Sequence, residues 1–391
     1  MFKNCYLLIF LGALVLCSQV HAENFKVNSF YGVYNSTNKK PGIPSPSLNG
    51  PVIETWKSPE TAPENINLAV LFPHLKDPFW VAVNFGIIHE AKKLGIGIQV
   101  QHAGGYRNLG KQALQLEQIL KENKVDGLII GAVQFKKKKL EDIYLQFQEK
   151  GIPIVSVVND SFTPTINAKA LVSWRDLGYQ AGKFLVEHSG DRNIKIAVFP
   201  GPRGTGWAPD SHEGFLEALD KLNARDRIEM ITPVWGDTGD KAQRHLVNFI
   251  LKNETGIDYL IGNALAASAA VTEGPEGESP AIEKYKDRHP KIKVIATYII
   301  PQVYQLIKQG KILASPTDLM KYQGIMAVDM MVRILNGELP GYKGFPFRSG
   351  PLVPIISREN IDSWSYETLF GKKNFKPIFK LKAKETAANL K

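Results

Sequence analysis

Apolar residues in this chain fall into short runs that alternate with longer amphipathic stretches. The first run, Asn67-Leu68-Ala69-Val70-Leu71-Phe72, ends at Pro73. A 3.6-residue period then predicts a helix over 79–94, leading into a strand over 97–102. A second helix over 109–122 precedes a strand over 127–130. A third over 139–150 is stopped by Gly151 and Pro153 before a strand over 154–158. Short apolar strands set flush against amphipathic helices predict parallel βαβ units, whose strands are buried on both faces and need no alternation.

The pattern then repeats. Helices over 177–188, 211–222, 241–252 and 265–272 alternate with strands over 195–199, 229–234, 259–262 and 294–297. The fold class is therefore α/β, with two doubly wound parallel-sheet lobes joined by several hinge crossings. The last third offers helices over 301–309 and 322–335 and strands over 312–314 and 352–356, too little for a third sheet. These pieces are expected to return to the existing lobes. Lobe 1 would hold 66–159 and 298–317, and lobe 2 would hold 160–297 and 318–370. Crossings would fall near Asn159 and Asp160, Thr297 and Tyr298, and Thr317 and Asp318. Residues 23–65 are rich in Pro, Ser, Asn and Gly without a period and predict an irregular arm. Residues 371–391 predict a basic tail.

The N-terminus adds a compartment. Lys3, the apolar stretch over 6–17 and Val20-His21-Ala22 before Glu23 form a signal-peptide pattern over 1–22, which implies export to the periplasm. Bulky Leu16 ahead of Cys17 argues against a lipoprotein. No later run reaches 18 apolar residues, so no membrane span is expected after cleavage. Both cysteines, Cys5 and Cys17, lie in the signal segment, which excludes disulfides and cysteine-bound metal from the exported chain.

The formal net charge of +10 raises nucleic acid as a partner, but its distribution argues against one. The tail over 371–391 carries seven Lys and one Glu, hence +6, and the lysine run over 136–139 adds +4. A solvated tail and loop, or a docking patch for an acidic partner or membrane surface, fit that pattern.

Catalytic chemistry is sparse. There is no Gly-x-Ser-x-Gly elbow, no Walker loop and no Gly-x-Gly-x-x-Gly after the first strand. Pro200-Gly201-Pro202-Arg203-Gly204-Thr205-Gly206 lacks the Lys-Ser/Thr end of a phosphate cradle, and its prolines remove backbone donors. The histidines are scattered. No catalytic residue, metal site or cofactor is expected, and the chain reads as a binder rather than an enzyme.

Aromatic residues stand out instead. Ligands of open α/β sheets collect at the carboxyl ends of the strands, where the sequence places Asp77, Phe79, Trp80, Tyr106, Trp174 and Tyr298. Such a cage suits methylated ammonium groups, which aromatic faces attract and which donate no hydrogen bond. A sugar site would draw instead on residues such as Arg107, Asn159, Arg175 and Asp318.

Four motifs carry a family resemblance: Leu71-Phe72-Pro73-His74-Leu75-Lys76-Asp77-Pro78-Phe79-Trp80, Ala103-Gly104-Gly105-Tyr106, Val172-Ser173-Trp174-Arg175-Asp176-Leu177-Gly178-Tyr179-Gln180-Ala181-Gly182, and Tyr298-Ile299-Ile300-Pro301-Gln302-Val303-Tyr304. Together they resemble the periplasmic trimethylamine N-oxide (TMAO) sensors of the TorT type, within the type 1 periplasmic binding proteins that include ribose binders. The resemblance implies TMAO or a related small molecule held between two lobes. It also implies that the periplasmic domain of a sensor histidine kinase recognises the closed form. Carried over by position, the ligand contacts would be Asp77, Trp80, Tyr106, Trp174 and Tyr298. Phe79, an additional candidate, stands where the family often has Tyr, and the stretch over 272–293 is longer than usual. A receptor delivering a sugar to an ABC permease is the alternative, and an enzyme acting on its ligand is a third reading.

Overall fold

The structure, a computed structural model, describes residues 25–36, 43–133, 138–203 and 205–384. The expected signal peptide over 1–22 lies outside the described residues, as do the side chains of the 136–139 lysine run. The chain begins with β1 (Lys26–Tyr31), β2 (Asn49–Thr55), β3 (Asn67–Phe72), α1 (Pro78–Leu94), β4 (Gly97–His102), α2 (Leu109–Glu122), β5 (Gly127–Ile130), α3 (Lys138–Glu149), β6 (Ile154–Val157) and β7 (Ala168–Ala170). It continues through α4 (Trp174–Ser189), β8 (Ile194–Phe199), α5 (Trp207–Lys221), β9 (Ile228–Met230), α6 (Asp240–Asn253), β10 (Tyr259–Gly262), α7 (Ala264–Val271), α8 (Ala281–Lys284), β11 (Lys293–Ala296), α9 (Pro301–Lys308) and β12 (Ala314–Pro316). Last come α10 (Met320–Leu335), β13 (Arg348–Pro351), β14 (Ile355–Ser357), α11 (Tyr366–Phe370) and β15 (Lys380–Leu381).

These strands form two sheets, ordered β15-β4-β3-β5-β6-β7-β13-β1-β2 and β14-β12-β11-β10-β8-β9. The parallel cores share one winding, β4-β3-β5-β6-β7 in the first and β9-β8-β10-β11-β12 in the second. In each, the strand after the first lies outside it, so a switch point opens beside β3 and beside β8. The central strands are mostly apolar and buried on both faces: Leu68, Val70, Ile129 and Val155 in one core, Ile196, Val198, Leu260 and Ile261 in the other.

Two helix pairs are pressed together by glycine. On lobe 1, α1 meets α10: a Cβ on Gly86 would lie 1.9 Å from the Lys321 carbonyl oxygen, and one on Gly324 would lie 2.3 Å from that of Val83. On lobe 2, α4 meets α5 in the same way. A Cβ on Gly178 would fall 1.7 Å from the Ser211 carbonyl oxygen, and one on Gly214 would fall 1.9 Å from that of Arg175. The contacts are reciprocal and involve backbone, so no side chain can move aside to make room.

The chain passes between lobes at 171–173, 317–319 and 352–354, and a fourth time between β14 and β15, since β7, β13 and β15 belong to the first sheet and β12 and β14 to the second. Of the expected crossings only the one at Thr317 and Asp318 coincides. The Thr317 N–H donates to the Pro354 carbonyl at 3.0 Å, and Gln323 accepts the Val172 N–H at 3.2 Å while its Nε2 donates to Asp318 Oδ2 at 2.8 Å, which ties the first three crossings together. The expected lobe boundaries change accordingly. Residues 298–317 belong with lobe 2, where β12 pairs with β11. Residues 318–370 are divided: α10 packs on α1 and β13 joins the first sheet, while β14 pairs with β12. A short apolar run announces a strand, but nothing local in it says which sheet it joins.

The described parts of the arm and of the basic tail are also more ordered than expected. The arm over 23–65 contains β1 and β2, paired antiparallel to each other, and β1 also pairs antiparallel with β13. It then pins itself to α10, with the Trp56 indole N–H and the Ser58 hydroxyl donating to Asp329 Oδ2 at 2.7 and 2.6 Å. In the tail, β15 pairs with β4, and Asn84 exchanges two hydrogen bonds with the Ile378 backbone.

Gly86→Ala or Gly178→Ala should destabilise the fold by about 3 kcal/mol or more, the upper end of overpacking costs. Gly110→Ala in α2, with nothing within 4 Å of its Cβ, should be neutral or slightly stabilising. Urea midpoints that fall equally in all three variants would refute the close-contact account.

Candidate functional site

The carboxyl ends of the strands around both switch points face one cavity of about 70 Å³. From lobe 1 come Asp77, Phe79 and Trp80, after β3, and Tyr106, after β4. Asp77 caps α1, its Oδ1 accepting the Trp80 N–H at 3.2 Å, with Pro78 opening the helix. That cap sets the first turn, and with it the direction of the Phe79 and Trp80 rings. Trp80 is only 1% exposed. Its indole lies over Gly131, where a Cβ would come within 2.5 Å of Cη2. Its N–H donates to the Tyr106 hydroxyl at 3.2 Å, so Trp80 serves as the wall that holds Tyr106.

Lobe 2 supplies Trp174, Trp207 and Tyr298, with Thr238, Leu265 and Ile300. Trp174 opens α4, whose Ser173 cap accepts the Asp176 N–H at 3.2 Å. Trp207 opens α5 directly after the glycine-rich turn. Gly201 there has φ +116°, and a Cβ on it would meet Trp207 Cη2 at 2.7 Å. That turn is a seat for an indole, not a phosphate cradle.

The rings enclose the cavity. Phe79 stacks on Trp174 at 5.9 Å and 30° across the lobes, and meets Tyr298 edge-on at 6.3 Å. Trp174 lies 5.4 Å from Trp207, and Tyr298 stands edge-on to Trp174 and Trp207 at 5.8 and 5.7 Å. The structure thus brings together all of Asp77, Phe79, Trp80, Tyr106, Trp174 and Tyr298. The sequence reading missed Trp207, because Pro209 masks the first turn of α5, where proline is tolerated. The glycine-rich turn just before it was the available signal.

Polar groups around the cage are few and strongly conditioned. Desolvation pushes the Asp77 carboxyl above its ordinary range, opposed by His74, whose Nε2 lies 3.6 Å away, and by the N–H groups of α1. Burial, with Asp77 nearby, also raises the Tyr298 and Tyr106 hydroxyls, so both remain protonated donors. Asp318, under the hinge, is pushed up to about 7 by burial, while Gln323 Nε2 donates to its Oδ2 at 2.8 Å. Of the sugar-type candidates, Arg175 turns away to Glu213 and Glu217 at 2.9 and 2.6 Å. Asn159 donates to the Ala132 carbonyl at 2.8 Å. Arg107 reaches only the rim, 3.9 Å from Asp237 of the opposite lobe. Among the described residues no group of three or more His, Cys, Asp or Glu could hold a metal ion.

The fold has known relatives. Residues 68–339 match the model of the periplasmic binding protein domain. The periplasmic protein TorT of Escherichia coli strain K12 is 27% identical over 312 residues, 80% of this chain and 84% of that protein. An ABC transporter solute-binding protein from Bradyrhizobium sp. BTAi1, crystallised with bound bis-tris, superposes with a TM-score of 0.75 at 30% identity, covering 91% of this chain and 98% of that one. TorT in its complex with the TorS sensor domain and TMAO gives a TM-score of 0.67 at 26% identity, covering 80% and 99%.

The site also has a pH signature. Asp318 ionises near 3.8 when unfolded and near 7 when folded, so its stabilising contribution is complete below about pH 4 and is lost as pH rises through about 7. Wild-type protein should therefore lose more stability between pH 5 and pH 8 than Asp318→Asn, read as urea midpoints at both values. Identical pH responses would mean that Asp318 is not held protonated by the fold.

Proposed function

This chain belongs to the periplasmic binding protein domain family, and on that premise we propose that it closes on a small alkylated nitrogen compound, TMAO itself, and reports the closure to a sensor histidine kinase. The family consists of periplasmic ligand binders without enzymatic activity. The observation that carries the reading is the box of Phe79, Trp174, Trp207 and Tyr298 around so small a cavity. Its 70 Å³ is far below the roughly 300–1,000 Å³ of pockets for larger ligands. Ring faces attract the methylated nitrogen, Asp77 lies at its side, and the Tyr298 hydroxyl donates to the oxide oxygen.

The rings come from both lobes, so ligand contact is complete only when the lobes meet. Ligand binding therefore favours the closed form by its differential affinity, and closure presents a changed surface to the receiver. The solved TorS–TorT complex supports a kinase's periplasmic domain as that receiver.

A second role, delivery to an ABC permease, is favoured by the Bradyrhizobium solute-binding protein at 30% identity. Its bound bis-tris combines a nitrogen bearing three carbon substituents with five hydroxyls, so this second role is compatible with an alkylated nitrogen or a polyol.

Calorimetric titration with TMAO and with D-allose tests the ligand. Wild type should release or absorb heat with TMAO only. Trp174→Ala, a half-buried position, should weaken TMAO binding by about 1–2 kcal/mol. Heat with D-allose and none with TMAO would overturn the assignment, and wild-type affinity in the variant would reduce Trp174 to packing.

A further inference from the structure

Much of the net positive charge sits on one ordered strip. After α11 the chain runs over 371–384 with six lysines, Lys372, Lys373, Lys376, Lys380, Lys382 and Lys384, and no acidic residue. All six are exposed, and among the described residues none of them forms an ion pair. The strip is fixed along the edge of lobe 1. β15 pairs with β4, Phe375 meets Phe85 edge-on at 5.1 Å, and the Lys384 N–H donates to the Gly95 carbonyl at 3.0 Å. Phe379 lies in the same strip with 49% of its surface exposed.

Lysines on an edge strand guard against pairing with another chain. That accounts for Lys380, but not for Lys372, Lys373 and Lys376 ahead of the strand or Lys382 and Lys384 beyond it. Six like charges held side by side repel one another, and their attraction must be to something outside the chain.

We propose that this strip docks the protein on an anionic phospholipid surface. Recognition of individual carboxylates across a fitted protein interface favours the planar fork of arginine. Here all six cations are lysines, compact charges suited to the diffuse field of headgroups. The exposed phenylalanine among them, Phe379, can bury its ring at the headgroup–acyl boundary, as the apolar residues of interfacial segments do. A periplasmic protein has such a surface within reach, and among the described residues no helix is long and apolar enough to cross it.

The test is co-sedimentation of the chain from Glu23 onward with vesicles of phosphatidylcholine, alone or with phosphatidylglycerol. Wild type should sediment only with the anionic vesicles, and high salt should release it. Each lysine near such a surface contributes roughly fivefold to partitioning. Two variants, Lys372, Lys373 and Lys376→Gln and separately Lys380, Lys382 and Lys384→Gln, should each bind about a hundredfold more weakly. An unchanged thermal unfolding curve will show that each variant is folded, and either variant alone suffices. Wild type that ignores phosphatidylglycerol, or folded variants that sediment like wild type, would overturn the proposal. Binding to an acidic protein domain but to no vesicle would overturn it too, and would reassign the strip to a protein partner.

Discussion

The position of nearly every ring in the cleft depends on backbone meeting backbone at four glycines. Gly86 and Gly324 set how closely α1 and α10 approach, and Gly178 and Gly214 do the same for α4 and α5. Phe79 and Trp80 occupy the first turn of α1, while Trp174 and Trp207 open α4 and α5. Moving either helix pair apart by the width of a methyl group would shift an indole or a phenyl ring by a comparable distance. Two further glycines, Gly131 and Gly201, give Trp80 and Trp207 the flat seats they rest on. The cage is thus held rigidly within each lobe and divided between the lobes.

That division relates binding to movement. Lobe 1 alone offers Phe79, Trp80 and Tyr106, and lobe 2 alone offers Trp174, Trp207 and Tyr298. The rim pair Arg107 and Asp237 also spans the gap, but it is exposed on both sides and 3.9 Å long. Such pairs contribute at most about 1 kcal/mol, less than a desolvated ring box around an alkylated nitrogen, where a single ring contributes about that much or more. Closure is therefore governed by what occupies the cage rather than by the lips. The crossings at 317–319 and 352–354 are hydrogen-bonded to each other, and Gln323 links the first of these to Val172 in the 171–173 crossing, which fits hinge strands that move as one body.

The sequence made the βαβ alternation and most element boundaries legible, because buried parallel strands and amphipathic helices differ strongly in period. The strand-end aromatics were legible for the same reason: once the strands are placed, Tyr106 and Tyr298 can only lie at their carboxyl ends. Sheet membership was not. β12 is three residues, Ala-Ser-Pro, and nothing local in them favours either sheet. β1 was hidden because its partner β13 lies some 320 positions away and half of its own residues are polar, as in the buried Ser29–Ser349 pair. Trp207 was hidden by Pro209. In each case the deciding contact is non-local, whereas periodicity reports only what a segment does with its immediate neighbours.

Solution X-ray scattering with and without saturating TMAO addresses the central claim, that a cage shared between lobes turns a small ligand into a change of shape. The account expects the radius of gyration to fall when TMAO is added, and to stay constant when a ligand too large for the cage replaces it. A radius unchanged by TMAO under conditions where calorimetry shows the site filled would contradict it.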